Sequence, residues 1–364
     1  MKTRVVVAMS GGVDSSVAAA MLAEQGYEVI GIAMRLAAEE GGAARRNACC
    51  GYEDFEDARR VAQRMGFPFY VIDLRAEFDR RVIEPFVGAY LQGRTPNPCL
   101  LCNRDIKFDR LWSRARALGA DFVATGHYAR IESDSDGSFR LLRGLDSSKD
   151  QSYFLFTLSQ EQLARTLFPI GAMTKAAVRR RAADLGLINA HKPESQEICF
   201  VPDNDYARLV GERAQPGRIR PGDITDRAGR VLARHDGIHR FTVGQRRGLG
   251  VAASEPLYVQ EIRPADGRVI AAPHAALTSA GLRAAGVSLV DPRSWESDRH
   301  PIEVRIRYRH PPLPASLALM DGARAEVRFD KPGPAVTPGQ ACVFYRGDQV
   351  LGGGIIEAAL EVRA

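Results

Sequence analysis

The first two hundred residues alternate short apolar runs with stretches at helical spacing. Residues 5–9 are wholly apolar, 27–34 nearly so, and 69–74 and 122–124 continue the series. Between them, 53–65 and 105–118 carry apolar residues at three- and four-residue intervals and stop at Gly66 and Gly119. A third helix, 174–185, opens on the capping residue Thr174 and stops at Gly186. Strands alternating with helices predict a doubly wound, Rossmann-like parallel sheet with helices on both faces. Such sheets bind ligands beyond the C-terminal ends of their strands, where residues 10–16, Met34 and Gly126 fall.

After about residue 205 glycine, proline and turn residues become frequent and short β-rich segments replace the helices. The stretch 237–250 reads as strand and loop, and a second β unit begins near Leu282. Residues 302–309 alternate cleanly, with Ile302, Val304, Ile306 and Tyr308 on one face and Glu303, Arg305, Arg307 and Arg309 on the other. Three arginines on one strand face point to phosphate contact. With 325–329 and 341–345 as further strands, a small C-terminal β-barrel is expected. The expected domains are 1–204, a catalytic α/β unit; 205–278, a small β-rich unit; and 279–364, the barrel.

The turn Ser10-Gly11-Gly12-Val13-Asp14-Ser15-Ser16 joins the first strand to the first helix. Two glycines let the backbone wrap its N–H groups around a phosphate, and the helix N-terminus faces the same point. Ser10, Ser15 and Ser16 add hydroxyls. No Gly-Lys-Ser/Thr follows, so this is not a Walker loop. Asp14 is a candidate for holding Mg2+ on the phosphates, or simply a helix N-terminal acid favoured by the dipole.

The chain's 364 residues suffice for two or three domains, and 45% hydrophobic with 26% charged residues is the balance of a soluble protein. No apolar run is long enough to span a membrane, and Met1-Lys2-Thr3-Arg4 enters a strand without a signal-peptide core, so a cytoplasmic location is expected. A net charge of +6 and a pI near 9.1 favour an anionic partner. The triplet Arg179-Arg180-Arg181 fits phosphate contact or a solvated helix face.

Six cysteines occur: Cys49, Cys50, Cys99, Cys102, Cys199 and Cys342. In a reducing compartment clustered cysteines point to metal or redox chemistry, and single ones often lie in cores. Thr95-Pro96-Asn97-Pro98-Cys99-Leu100-Leu101-Cys102-Asn103 carries a C-x-x-C pair. Its two prolines exclude helix, and the helix at 105 then follows. A thiol at such an entrance has its thiolate stabilised. The spacing alone suits thiol exchange, zinc or iron–sulfur, although no second C-x-x-C supplies a zinc site. Cys199 sits in the polar run 194–200, Cys342 within an apolar strand, and Cys49-Cys50 in a Gly/Ala/Arg-rich loop.

The Ser-Gly-Gly-x-Asp-Ser run resembles the pyrophosphate-binding loop of the ATP pyrophosphatases. With residues 8–15 stand Asn97-Pro98, Cys102-Asn103, Ala124-Thr125-Gly126-His127-Tyr128, Lys149-Asp150-Gln151-Ser152-Tyr153 and Ser195-Gln196-Glu197-Ile198-Cys199-Phe200. Gly244-Gln245-Arg246-Arg247-Gly248, Arg307-Tyr308-Arg309 and Pro338-Gly339-Gln340 follow. In this order, over nearly the whole chain, they resemble the bacterial tRNA-specific 2-thiouridylases. The resemblance implies a nucleotide-hydrolase domain, a central β-rich domain and a C-terminal barrel. It implies ATP-dependent adenylation of the C2 oxygen of a tRNA wobble uridine, then attack by a persulfide. Cys199 would carry that persulfide, received from a sulfur-relay or cysteine desulfurase protein, and Cys102 would be the nucleophile that completes release, through a disulfide with Cys199. Ala8, Met9, Ser10, Gly11, Gly12, Val13, Asp14, Ser15, Met34 and Gly126 match the ATP site. Asn97, Pro98, Cys99, His127, Lys149, Asp150, Gln151, Arg307, Tyr308, Arg309 and Gln340 match the tRNA contacts.

The chain departs from many members at Cys99, where they carry an Asp thought to act as acid or base. Cys99 could take that role, or Cys99, Cys102 and Cys199 could hold a [4Fe–4S] cluster; the resemblance favours the persulfide route. Another ATP pyrophosphatase acting on a small molecule would share the loop but leave the cysteines and basic β units unexplained. A non-enzymatic RNA-binding protein would not need the intact loop.

Overall fold

The computed structural model describes residues 2–36, 51–193, 198–201, 203–292, 295 and 300–362. The expectations for Cys49, Cys50 and residues 194–197 lie outside them. The chain divides into two compact units: Met1–Ile83, Pro98–Asn204 and Asp348–Val350; then Glu84–Asn97, Asp205–Gly347 and Leu351–Ala364.

The first unit is built on a parallel sheet. Strands β1 (Arg4–Ala8), β2 (Glu28–Arg35), β3 (Phe69–Asp73), β4 (Phe122–Thr125), β5 (Ala129–Ser133), β6 (Phe139–Arg143) and β7 (Thr166–Leu167) occur in chain order. The sheet runs β3-β2-β1-β4-β7, every pairing parallel; β5 and β6 form an antiparallel hairpin outside it, and β6 also pairs antiparallel with Gln349–Val350. The central strand β1 is the apolar run Val5-Val6-Val7, each fully buried, as parallel sheets covered on both faces require. Helix α1 (Val13–Glu24) is apolar nearly all round, so Val13, Val17, Ala18, Ala19 and Leu22 join Val5, Val7 and Met9 in one core. Helix α2 (Tyr52–Met65) is amphipathic, burying Phe55, Ala58, Val61 and Ala62, and ends at Gly66 with φ 75°. The helix Lys175–Asp184 opens as expected on Thr174, whose hydroxyl accepts from Ala177 N–H at 3.2 Å.

The second unit holds two β assemblies. Strands β8 (Gly222–Thr225), β9 (Val231–His235), β10 (Leu257–Arg263) and β11 (Arg268–Pro273) form a sheet in the order β10-β11-β8-β9 around Ile224, Phe241, Val259 and Val269. Strands β12 (Ser279–Leu289), β13 (His300–Arg305), β14 (Leu313–Met320), β15 (Arg324–Gly333), β16 (Ala341–Arg346) and β17 (Gln349–Leu360) follow. Their order is β12-β15-β14-β13-β16-β17, and β17 pairs back onto β12, closing a six-stranded barrel. Closure removes the open edges that would invite foreign strands. Cys342 lies in the barrel core, fully buried, as expected for its apolar strand; burial pushes its thiol up to about 12.

Three sequence expectations need correction. The stretch 237–250 contains no strand: it is a short 3-10 turn (Ile238–Arg240) and a series of tight turns, with Gly244, Gly248 and Gly250 at positive φ. The strand expected over 302–309 ends at Arg305, so Arg307, Tyr308 and Arg309 lie in a turn rather than along one face. The helix expected from Asp105 begins at Pro98. Proline is at home in a helix's first turn, where its missing N–H would have no partner, so Pro98 starts the helix instead of excluding it. From Cys102 to Arg110 the helix widens to a π form, seen where Leu111 N–H reaches back five residues to the Ile106 carbonyl.

Candidate active site

The phosphate loop sits at the C-terminal end of β1. Gly11 has φ 75°, and a Cβ there would strike the backbone of Asp54 at the start of α2. Gly126, just past β4, is as constrained: a Cβ would lie 2.6 Å from Ser15 N and 2.7 Å from Asp14 C. Glycine at both positions lets two neighbouring chain segments close on the loop. Ser15 Oγ donates to Gly12 O at 3.1 Å and receives Ser10 N–H at 3.2 Å, which draws the turn tight. Helix α1 has no side-chain cap at Gly12, so its first N–H groups remain available to an anion. Ser16, expected among the hydroxyl donors, is fully buried and receives Asn189 Nδ2 at 2.8 Å.

Asp14 is not an open carboxylate. Lys175 Nζ donates to both of its oxygens at 2.8 Å, and the Tyr128 hydroxyl donates to Oδ1 at 2.8 Å. Its charge is already matched, so a magnesium ion at Asp14 would have to displace an ammonium; in this arrangement the residues do not fit that ion. Lys175 was not singled out in the sequence, although it is the first residue of a helix and apolar positions surround it. Met34 lies buried near the end of β2.

The residues around 127 and 150 are mostly internal. His127 is buried, shares a 2.6 Å hydrogen bond with Thr125 Oγ1, and meets the rings of Phe108 and Phe168. Burial, and then the Lys107 charge, push it well below the ordinary histidine value, so it is neutral. Asp150 is buried and accepts from Gly144 N–H and Ser152 N–H, while Gln151 Oε1 accepts from Tyr128 N–H at 3.0 Å. Gln151 and Asp150 therefore brace the loop that holds Tyr128 against Asp14. Lys149 is half-exposed beside them.

The C-x-x-C pair opens the helix at Pro98. Cys99 is exposed, Cys102 is buried and Cys199 is half-buried. The expected stabilised thiolate is not found at Cys102: burial pushes this thiol up, and the Lys107 charge offsets it only in part. Phe200, next to Cys199, packs edge-on against Phe78 at 5.6 Å between ring centres. Among the described residues no three His, Cys, Asp or Glu side chains gather as metal donors. Cys99, Cys102 and Cys199 are all described, so as placed they do not form the donor set of an iron–sulfur cluster.

The second unit's candidates are tied to its own framework. Gln340 Nε2 donates to the carbonyls of Thr95 and Pro96 at 3.0 and 3.4 Å, and Thr95 N–H donates to Pro338 O at 2.9 Å. Gln340 thereby fixes the strap leading to Asn97. Arg307 turns inward, donating to Ala335 O and Thr337 Oγ1 at 3.0 and 2.9 Å; Tyr308 is half-buried and Arg309 exposed. In the first unit, Arg179 donates to the Ala190 and Lys192 carbonyls and Arg181 pairs with Glu24, leaving Arg180 as the exposed member of that triplet.

A phosphate loop between the first strand and helix of a parallel sheet, followed by a β-rich sheet and a closed barrel, defines a nucleotide-binding α/β protein with appended β domains. Sequence comparison is specific. Residues 3–203 match the tRNA methyl transferase HUP domain, 214–273 the tRNA methyl transferase PRC-barrel domain and 279–356 the aminomethyltransferase beta-barrel domain. Relatives named tRNA-specific 2-thiouridylase MnmA include one from Geotalea uraniireducens, 54% identical over 100% of this chain and 97% of that one. Another, from Geobacter metallireducens, is 54% identical over 99% and 98%, and one from Clostridium perfringens is 46% identical over 99% of each chain. The chain belongs to the tRNA-specific 2-thiouridylase family.

Proposed function

We propose that this chain replaces the C2 oxygen of a tRNA wobble uridine by sulfur, consuming ATP. The observation that carries the reading is the built phosphate loop, with Gly11 and Gly126 both enclosed too tightly for a side chain, in a chain related over its full length to 2-thiouridylases. ATP enters as its magnesium complex, the metal arriving with the phosphates. The α1 N-terminus and the 10–15 turn hold the phosphates that leave. The uridine C2 oxygen attacks the α-phosphate, pyrophosphate departs, and the oxygen becomes part of a good leaving group.

Sulfur delivery then needs two thiols. The terminal sulfur of a Cys199 persulfide, loaded by a sulfur-relay or cysteine desulfurase protein, attacks C2 and AMP departs with the oxygen. Cys102 attacks Cys199 Sγ, a Cys102–Cys199 disulfide forms, and the outer sulfur stays on C2. An external dithiol reduces the disulfide before the next turnover. Cys99, exposed at the first helical turn, stands where it can border the uridine. A stacked anticodon base reaches these groups only when flipped outward. Lys149, Tyr308 and Arg309 are the direct tRNA contacts in this reading. Asn97 and Pro98 border the base; His127, Asp150, Gln151, Arg307 and Gln340 shape the surfaces. No helix among the described residues is long and apolar enough to cross a membrane, and the reading places the enzyme with its tRNA in the cytoplasm.

The chemistry is tested by labelling the wobble uridine with 18O at C2. Label in the AMP released supports adenylation of that oxygen; AMP without label, alongside thiouridine, rejects it.

A further inference from the structure

The back of the phosphate loop is held by a residue that the reaction scheme does not use. Asn189 follows the helix Lys175–Asp184 and is 97% buried, with 3% exposure. Its Nδ2 donates to the Gly11 carbonyl at 2.9 Å and to Ser16 Oγ at 2.8 Å. The Gly11 carbonyl can only accept, so the amide nitrogen must face it. Asn189 Oδ1 is buried with no hydrogen-bond partner. An orphaned buried acceptor is unfavourable by itself. What Asn189 supplies is the pair of donated bonds.

Those bonds orient one peptide. The peptide joining Gly11 to Gly12 is trans, so the Gly11 carbonyl and the Gly12 N–H point in opposite directions. Held by Asn189, the Gly11 carbonyl faces that side chain and the Gly12 N–H faces the opposite way. Both flanking residues are glycine, so nothing in their own side chains prevents this peptide from flipping. A flipped peptide would present a carbonyl oxygen to an anion. Three residues on, Lys192 Nζ contacts Asp54 Oδ1 and Asp57 Oδ2 at 2.6 Å each, fixing the start of α2 that packs on Gly11. One short segment thus braces the loop twice.

We propose that Asn189 is a positioning residue for ATP: it fixes the Gly11–Gly12 peptide with its N–H toward the phosphates. The proposal rests on the phosphate-loop reading above. The test uses the full chain with Asn189→Leu, of similar size and without the orphaned acceptor, and Asn189→Asp, which cannot donate to Gly11. ATP affinity is measured by calorimetry, KM for ATP and tRNA by thiolation, and folding by thermal melting. Both variants should fold, bind ATP about tenfold more weakly, raise KM for ATP by a similar factor, and leave KM for tRNA within about twofold. ATP affinity within about twofold of wild type in both variants overturns the proposal. So does unfolding of both, which would make Asn189 a residue of stability. If the unsubstituted chain itself binds no ATP, the phosphate-loop reading fails and this inference with it.

Discussion

Replacing Lys175 by Met removes the ammonium from a buried ion pair while keeping most of the apolar stem. Lys175 has 11% side-chain exposure and Asp14 29%, and the two stand 2.8 Å apart. Deleting one partner of a fully buried pair costs about 3–5 kcal/mol, because a charge is left without compensation. Asp14 keeps solvent access and the Tyr128 hydroxyl, so the cost is discounted to about 1–3 kcal/mol. For a unit of this size that corresponds to a fall of roughly 3–8 °C in the melting of the α/β unit. Asp14→Asn in the same chain leaves no charge to strand, so Lys175→Met/Asp14→Asn should cost at least about 1 kcal/mol less than the two single losses added together. Thermal melting of the four chains measures this. A Lys175→Met chain melting within about 1 °C of wild type, or strictly additive losses, would refute the argument that this pair is coupled.

Gly126→Ala should cost about 1–3 kcal/mol and weaken ATP binding, because its Cβ meets Ser15 and Asp14 backbone atoms that cannot step aside; melting and ATP calorimetry report both. Cys102, its thiol raised by burial, should be alkylated faster as pH rises above the ordinary thiol range. Its raised value also means that the unfolded chain ionises first, so stability is full at neutral pH and lost as pH rises; peptide-resolved alkylation and melting across pH 7–10 check the two. The lowered value of buried His127 has the opposite sign: stability is present above the ordinary histidine value and lost as pH falls through and below it, which acid titration of the melting temperature reads. Cys199→Ser should abolish thiolation while adenylation of the tRNA persists, measured by nucleoside mass spectrometry beside pyrophosphate release.

Much of the α/β unit was legible because its signals are local. Val5-Val6-Val7 could only be a buried strand, and Thr174 and Gly186 bracket their helix in sequence. The loop at 10–16 was visible because glycines at fixed spacing have few other uses. What stayed hidden depends on residues far apart in the chain. Asp14 reads as an open acid until Lys175, 161 positions later, is seen on both of its oxygens. Asn189 carries no motif, and its contact with Gly11 spans 178 positions. Pro98 misleads because a proline that interrupts a helix and one that starts it look alike without the backbone beyond. The polar alternation at 302–309 promised a longer strand than the fold keeps, since Arg307 is drawn inward by Ala335 and Thr337. Cys102 depends on burial that no C-x-x-C spacing encodes.

In the proposed reaction, ATP-driven sulfur transfer to a wobble uridine runs through cysteine persulfide chemistry. The direct measurement is anaerobic thiolation of unmodified tRNA by iron-free protein with magnesium-ATP and a persulfide donor, followed by mass spectrometry of the wobble nucleoside. Persulfide transfer should give 2-thiouridine in a one-to-one ratio with AMP. Thiouridine formed only after an iron–sulfur cluster is reconstituted, or AMP formed with no thiouridine at all, would contradict it.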